Sequence, residues 1–459
     1  MKLKVPAKLD PTFQPMSVIY RDYQHEVAAS QKKQRFICAI ERTGSHVFSW
    51  STYVFPDGVN DQANIDVMDR IVKTLLWVHG GFRIITSGSP VIHNHLVSAY
   101  CPGGSRAFDA DFMSTVYERP FEVRYEDDPD SIVTADKGSS SVGHHLDGCR
   151  IGFDAGGSDR KVSAVIDGKA VYSEEVVWFP KVNSDPQYHY DGILSAMKTA
   201  ASHLPRVDAI GVSSAGVYID NRIMVASLFI QVPREVFDQR VKNMYIDIAK
   251  EFGDVPLEVA NDGDVTALAG AMSLEEGNLL GIAMGTSEAG GYVDKDMNIT
   301  GRLNELAFVP VDFSKQAMTD EWSGDYGCGV KYFSQDAVIK LAPAAGIALD
   351  ETASPAEKLK AVQELLASGS RAAENIFETI GVYFGYAVAY YALFYHIRHV
   401  LVMGRVTSGK GGTLIINKAQ EVLDQEFPDL AKSIILHLPD EKSRRVGQSI
   451  AAASLPSIA

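Results

Sequence analysis

The 459-residue chain has only four cysteines, Cys38, Cys101, Cys149 and Cys328, and none forms a CxxC pair. That scatter argues against a disulfide framework and makes reduced thiols the default. Positive charge is also short. Lys and Arg number 43 against 58 Asp and Glu, a net charge of −15 spread along the chain. Nucleic acid is disfavoured as the main partner, because a phosphate backbone is met by clustered Lys and Arg. ATP stays open, since backbone N–H groups and Mg2+ can meet its phosphates. The N-terminal stretch MKLKVPAKLDPTFQP lacks an apolar signal core, which with the thiols gives a cytoplasmic expectation. Long apolar runs are scarce too. One, Thr379 to Ile397, carries no formal charge, but its five tyrosines sit along its whole length and the strand-like HVLVMG follows. It reads as a buried core helix, not a membrane span. Gly381 and Gly385 within it are spaced for close helix packing.

What is present is ordinary globular composition, 46% hydrophobic and 22% charged, with room for two or three domains. Residues Met1 to about Gln34 read as an irregular lead-in. A first α/β region follows: a strand at Arg35 to Ile40, a helix with apolar Met68, Ile71, Val72, Leu75 and Leu76, and strands at FRIIT and FEVRY. SGSPVIHNH and CPGGSRAFDADF read as loops, and Asp127 to Asp147, rich in Asp, Ser and Gly, as a linker. From Cys149, strand pairs closing on glycine turns alternate with helices. This argues for α/β architecture with sheets covered on both faces.

Three segments carry chemistry. In IGFDAGGSDRKVSAV a short apolar run ends in Asp154, and Gly156, Gly157 and Ser158 follow. A turn without side chains at its tip exposes N–H groups that can hold a phosphate, and the carboxylate is placed to hold Mg2+. In PLEVANDGD, Asn261 and Asp262 fall where a strand passes into a helix, where α/β proteins place reactive groups; ordinary helix capping explains the same pair. GTSEAGG, Gly285 to Gly291, repeats the glycine-turn pattern.

The order FDAGGSD, AIGVSSAGV, EVANDGDVTAL, GIAMGTSEAGGYV, GRLNELAF, VLVMGRV resembles the ROK group of sugar kinases in the actin/hexokinase-like ATPase superfamily. The resemblance runs from about Cys149 to the C-terminus. It implies a two-lobed, ribonuclease H-like α/β fold preceded by a smaller α/β domain. The implied division is 1–148 for the extra domain, 149–270 for the first lobe joined by a C-terminal helix at 443–459, and 271–442 for the second lobe. It further implies two phosphate loops, Gly156, Gly157 and Ser158 in one and Gly285, Thr286 and Ser287 in the other, that clamp ATP from two lobes. Asp154 would position Mg2+, directly or through water. Asp262 would be the base that takes a proton from a sugar hydroxyl. Asn261, Glu305 and Gly216 would bind that substrate, and Gly404 with Arg405 would meet the adenosine. A homodimer is the family-like assembly.

The chain also departs from that pattern. Zinc-containing members carry a His shortly after the Glu and a CxCGxxGC knuckle. Here the His position is Phe308, and the knuckle region EWSGDYGCG offers Glu321, Ser323 and Cys328. One thiol without a His makes no structural zinc site, so no zinc is expected. Ala215 replaces a usual proline, and Arg405 a common glycine. The expected function is ATP- and Mg2+-dependent phosphorylation of a sugar hydroxyl. The alternative is a ROK-like regulatory protein that binds sugar or nucleotide with little or no catalysis. A DNA-binding N-terminus is disfavoured, because YEDDPD is acidic and the preceding segments read as strands.

Overall fold

A computed structural model describes residues 2–132, 134, 142–439 and 441–458, with the backbone alone for 441–446. Much of the expected linker, residues 133 and 135–141, lies outside the described residues. The chain divides into two compact units. The first comprises Met1–Gly138, Ile282–Gly290 and Arg302–Leu438; the second comprises Ser139–Gly281, Gly291–Gly301 and Pro439–Ala459.

Two units stand where the sequence implied three domains. The N-terminal residues do carry a sheet of their own, in the order His46–Val54, Gln34–Arg42, Arg83–Ser87, Glu122–Tyr125. They nevertheless group with 302–438, and the reason is where their apolar surface goes. The long Arg371–Tyr391 helix is buried from Thr379 to Tyr391. The Phe13 ring lies 4.6 Å from Tyr383 and 5.9 Å from Tyr332. Thr74 and Tyr390 share a hydrogen bond of 2.7 Å, and the Tyr383 hydroxyl donates to Asp10 at 2.6 Å. The tyrosines thus bury their rings and satisfy their hydroxyls against the N-terminal region, as buried Tyr requires. The other face of this helix packs on Lys410–Glu426. A Cβ at Gly381 would sit 2.6 Å from Ile415 O, and one at Gly385 2.6 Å from the Val422 side chain. Among the described residues no helix is long and apolar enough to cross a membrane.

Several local expectations are corrected. The irregular lead-in contains a helix, Met16–Ala29, that buries Met16, Val18, Tyr23 and Val27 and has no side-chain cap at Pro15. The loops around SGSPVIHNH and CPGGSRAFDADF are helices, Pro90–Ala99 and Ala107–Tyr117. Tertiary burial stabilises Met16–Ala29 and Ala107–Tyr117, which lack a side-chain cap, whereas Pro90–Ala99 is also capped by the Ser89 hydroxyl and starts on Pro90.

The first unit contains a cluster of buried ions. Asp325 receives Arg70 at 2.8 Å, Lys73 at 2.7 Å and Arg106 at 2.6 Å. Arg106 also pairs with Asp69, and Lys73 lies 3.6 Å from Asp109. Three cations therefore face three carboxylates, all nearly out of contact with water. Coulomb attraction from the cations outweighs burial and holds the Asp325 carboxyl far below the usual range, and the hydrogen bond with His95, together with Arg106, does the same for Asp69. Asp325 lies in the EWSGDYGCG segment. Burial pushes the neighbouring Cys328 thiol up to about 11, so it stays protonated and a poor metal ligand. Glu321 pairs with Lys331, and the Ser323 hydroxyl donates to Asp320. Among the described residues, no group of three His, Cys, Asp or Glu is placed to hold a metal ion.

Removing one partner of such a cluster leaves uncompensated buried charge. Asp325→Asn is expected to lower unfolding free energy by about 3–5 kcal/mol in urea titration. Asp429→Asn, which removes an exposed pair with Lys432, is expected to change it by less than about 1 kcal/mol. Equal effects of the two would refute the cluster's structural weight.

Candidate active site

The second unit is built on a five-stranded sheet in the order Leu257–Asn261, Ala209–Ser214, Cys149–Ala155, Asp159–Ile166, Lys169–Val177. The first three strands are parallel, and their register brings their carboxyl ends level. Asp154 pairs with Ser213, and Ser213 with Ala260; Ala155 pairs with Ser214, and Ser214 with Asn261. This edge is where open α/β sheets place ligands. The Glu441–Ala453 helix lies directly on the sheet, because Gly152 and Gly211 offer no Cβ to collide with the carbonyls of Ser449 and Ala452.

Asp154 is buried at this edge. Its Oδ1 accepts from the Ser213 hydroxyl at 2.8 Å, and its Oδ2 lies 3.7 Å from the Lys161 ammonium. Gln448 Nε2 approaches Oδ1 at 3.4 Å. Burial raises the carboxyl above its usual range, and Lys161 and Ser213 only partly oppose this. The turn after it is anchored by Trp178, whose indole N–H donates to Gly156 O at 2.7 Å and whose backbone N–H donates to Ser158 O at 3.1 Å. Gly157 and Ser158 are exposed. A side chain at Gly157 would meet the Lys181 ammonium at 3.0 Å, so the absent Cβ leaves room for a cation beside the turn.

Asn261 and Asp262 begin the Asp262–Leu274 helix, and the capping chemistry is real. The Gly263 N–H donates to Asn261 Oδ1 at 2.7 Å and to Asp262 Oδ1 at 3.0 Å. Asn261 Nδ2 donates to Gly216 O at 2.8 Å. Gly216, at φ 139, thus supports Asn261 through its carbonyl. Each end of the Asn261 amide keeps one further hydrogen-bonding position. Asp262 retains some solvent access. Removal from bulk water and the negative Asp154 push its carboxyl up to about 6, against the Gly263 N–H and Lys181. Asp264, in the first turn of the same helix, is buried and accepts from the Tyr292 N–H at 3.0 Å.

The remaining candidates lie in the first unit. Gly285, Thr286 and Ser287 form the turn between Leu279–Met284 and Glu288–Val293. The Gly285 N–H donates to Ser287 O at 3.0 Å, and Gly285 O accepts from the Gln335 N–H at 2.9 Å. Gly404, at φ 103, ends the His399–Met403 strand, and a Cβ there would meet the backbone of Met284. The glycine therefore brings the Gly404–Arg405 turn against the end of the strand that leads into Gly285. Glu305 caps a short 3-10 turn, Leu306–Phe308, and its N–H donates to Trp77 O at 3.1 Å.

Sequence reasoning missed Lys161, Lys181, Ser213 and Glu288. Strand alternation places Lys161 opposite Asp154, a readable signal. Lys181 sits in a 3-10 turn, Pro180–Val182, with no pattern to mark it. Glu288 is fully buried beside the second glycine turn, with one oxygen lacking a partner among the described residues. Burial and the charge of Glu305 raise its carboxyl to about 8.

No family model matches the chain, and no curated protein matches it. Solved structures do. The fold is similar to that of a ROK hexokinase from Thermus thermophilus, at 17% identity over 66% of this chain and 97% of that one, with a TM-score of 0.51. It is equally similar, at 17% identity and TM-score 0.51, to a ROK family transcriptional regulator described as a homolog of the E. coli MLC protein, over 68% of this chain and 79% of that one. The chain therefore has the ROK fold of the hexokinase/actin-like class. That fold serves both sugar kinases and regulators, so the distinction lies in the site.

Because the folded pKa of Asp262 is raised, the native state favours its protonated form. The resulting cost is absent below the unfolded value near 3.8, grows as pH rises to about 6, and is constant above. Asp262→Asn is thus expected to raise the thermal midpoint at pH 7.5, by up to about 3 kcal/mol of stability, and to change it little at pH 4. A midpoint difference independent of pH would contradict the strained carboxylate.

Proposed function

We propose that the chain is a ROK-type carbohydrate kinase that transfers the γ-phosphoryl group of ATP to a hydroxyl of a sugar or sugar derivative. The observation that carries this reading is Asp262. It is a carboxylate raised to about 6 at the carboxyl ends of three parallel strands, next to a second acid and a cation-flanked glycine turn. A structural capping Asp has no need of such surroundings, whereas a general base works best with a pKa near the operating pH.

The residues fit Mg-ATP. Asp154 is a buried acid whose compensation by Lys161 is incomplete, which suits a divalent cation held directly or through water. The Gly156–Ser158 turn presents backbone to solvent with an ammonium beside it. When bound, Mg2+ supplies charge neutralisation to the phosphates. The phosphates are assigned to Gly156, Gly157, Ser158 and Lys181 in the second unit; Gly285, Thr286 and Ser287 are a separate candidate phosphate turn. Gly404 and Arg405 are assigned to the adenosine side. Asp262 takes the proton of the acceptor hydroxyl as that oxygen attacks. Asn261 orients a neighbouring hydroxyl with the positions its capping role leaves free, and Gly216 holds Asn261 in place; Glu305 is a further candidate for binding sugar hydroxyls. No zinc takes part; elemental analysis finding one equivalent per chain would overturn that point.

The test is ADP release across a panel of sugars and amino sugars. Asp262→Asn is expected to lower kcat by about 10²–10⁴. The acid limb of kcat/KM is expected near pH 6 for the native chain. It should shift upward in Lys181→Met, because Lys181 favours the ionised base, and KM for ATP should rise in the same variant. ATP binding without turnover on any sugar would favour a regulatory protein instead.

A further inference from the structure

We infer that His189 is a positioning residue for the phosphate turn: its ring fixes the Pro180–Val182 turn in the place that sets the Lys181 ammonium beside Gly157. The inference rests on the proposed phosphate role of the Gly156–Ser158 turn, and every residue in it belongs to the second unit. His189 lies in the first turn of the Pro186–Ala201 helix and is fully buried. Its Nε2 faces two carbonyl oxygens, Pro180 O at 3.0 Å and Leu228 O at 3.1 Å, and its Nδ1 faces a third, Asp185 O at 3.2 Å. A carbonyl only accepts, so two of them on one side place an N–H on Nε2. One buried ring therefore joins three backbone segments.

The chain around Lys181 has little apolar burial to hold it. Residues 178–185 join the edge strand Lys169–Val177 to the helix, and Trp178 and Pro180 are buried, but Phe179 and Val182 are 63% and 75% exposed. Lys181 itself is exposed. Its place is set by hydrogen bonds. The two Trp178 N–H groups tie the start of the segment to the glycine turn. The Phe179 N–H donates to the Tyr188 hydroxyl at 2.9 Å, and Asn183 Nδ2 donates to Phe179 O at 2.6 Å. His189 supplies the tie at Pro180, the residue next to Lys181, and links it to the Ser227–Phe229 turn through Leu228 O.

The ring is itself held. Phe229 lies 4.7 Å from it, Tyr188 5.7 Å and Trp178 6.3 Å, the last two edge-on. An apolar side chain would fill this aromatic surround equally well. It would remove the donor that Pro180 O and Leu228 O share. What the histidine adds is thus a fixed backbone on which the lysine stands. A lysine on a loose turn loses more freedom when it meets an anion than one on a fixed turn, and that ordering cost comes off the affinity.

The probes are inorganic tripolyphosphate and ATP, each with Mg2+, and binding to the full chain is measured by calorimetry. His189→Asn and His189→Gln separate the two sides of the ring, because an Asn amide nitrogen reaches the Nδ1 position and a Gln amide nitrogen the Nε2 position. Both variants lose the buried ring, so their thermal midpoints are expected to fall together. Lys181→Met is expected to weaken binding about tenfold, the loss of one charge-assisted hydrogen bond. His189→Asn is expected to match it, and His189→Gln to keep most of the native affinity. His189→Asn added to Lys181→Met is expected to change nothing further, since both act on one contact. Equal losses in the Asn and Gln variants, failure of both to fold, or an additive loss in the double variant would make the ring purely structural and overturn the inference. Native affinity in His189→Asn or in Lys181→Met would overturn it too, and would leave the kinase reading standing. A native chain that binds neither probe would remove the phosphate role of this turn, and the inference with it.

Discussion

A carboxylate removed from water needs positive charge or a proton, and this chain meets that need in two opposite ways. Asp325 is surrounded by Arg70, Lys73 and Arg106, and its charge is fully matched. It is inert as an acid or base and serves as an anchor. Asp154 and Asp262 are left with less compensation than their surroundings demand. Burial shifts both towards the protonated form, and the proposed kinase would use them to hold a cation and to take a proton. Matched charge makes structure, and unmatched charge leaves chemistry available.

The anchor organises the first unit. Arg70 and Lys73 come from the Asp61–His79 helix and Arg106 from the residue before Ala107–Tyr117. The same helix ends on Trp77 and Val78, whose carbonyls receive the N–H groups of Glu305 and Asn304. A region that looks like an added domain in sequence is therefore structural support for the Glu305 turn. Its removal would expose the tyrosine face of Arg371–Tyr391 and strand the charges on Asp325.

In the second unit the decisive constraint is register. Three parallel strands ending level put Asp154, Ser213, Asn261 and Asp262 on one edge, though a long stretch of chain separates the first from the last. Two glycines let the C-terminal helix lie on those strands and bring Gln448 to Asp154. The same fold occurs in a ROK hexokinase and in a ROK transcriptional regulator. What gives the site a chemical bias is its electrostatics, above all the raised Asp262 and the lysine beside the glycine turn.

Much of this was legible in the linear chain. Strand alternation, glycine turns and the order of six motifs determined the α/β class and the ROK resemblance, and they marked Asp154, Asn261 and Asp262, because those signals are local and repeat with a fixed period. Pro90–Ala99 carried a local signal in its Ser89 cap and Pro90 at its start, which the loop reading overlooked. Met16–Ala29 and Ala107–Tyr117 were not legible, because they lack side-chain caps and draw their stability from surfaces contributed by distant segments. Arg106 and Asp109 looked like solvated loop residues for the same reason: nothing near them in sequence shows that they are buried with opposite charges. Lys181 belongs to this class too. The sequence by itself determined which residue types the site contains. Only the tertiary structure decided which of them share an environment, because charge compensation and ring packing depend on distances in space that chain separation does not encode.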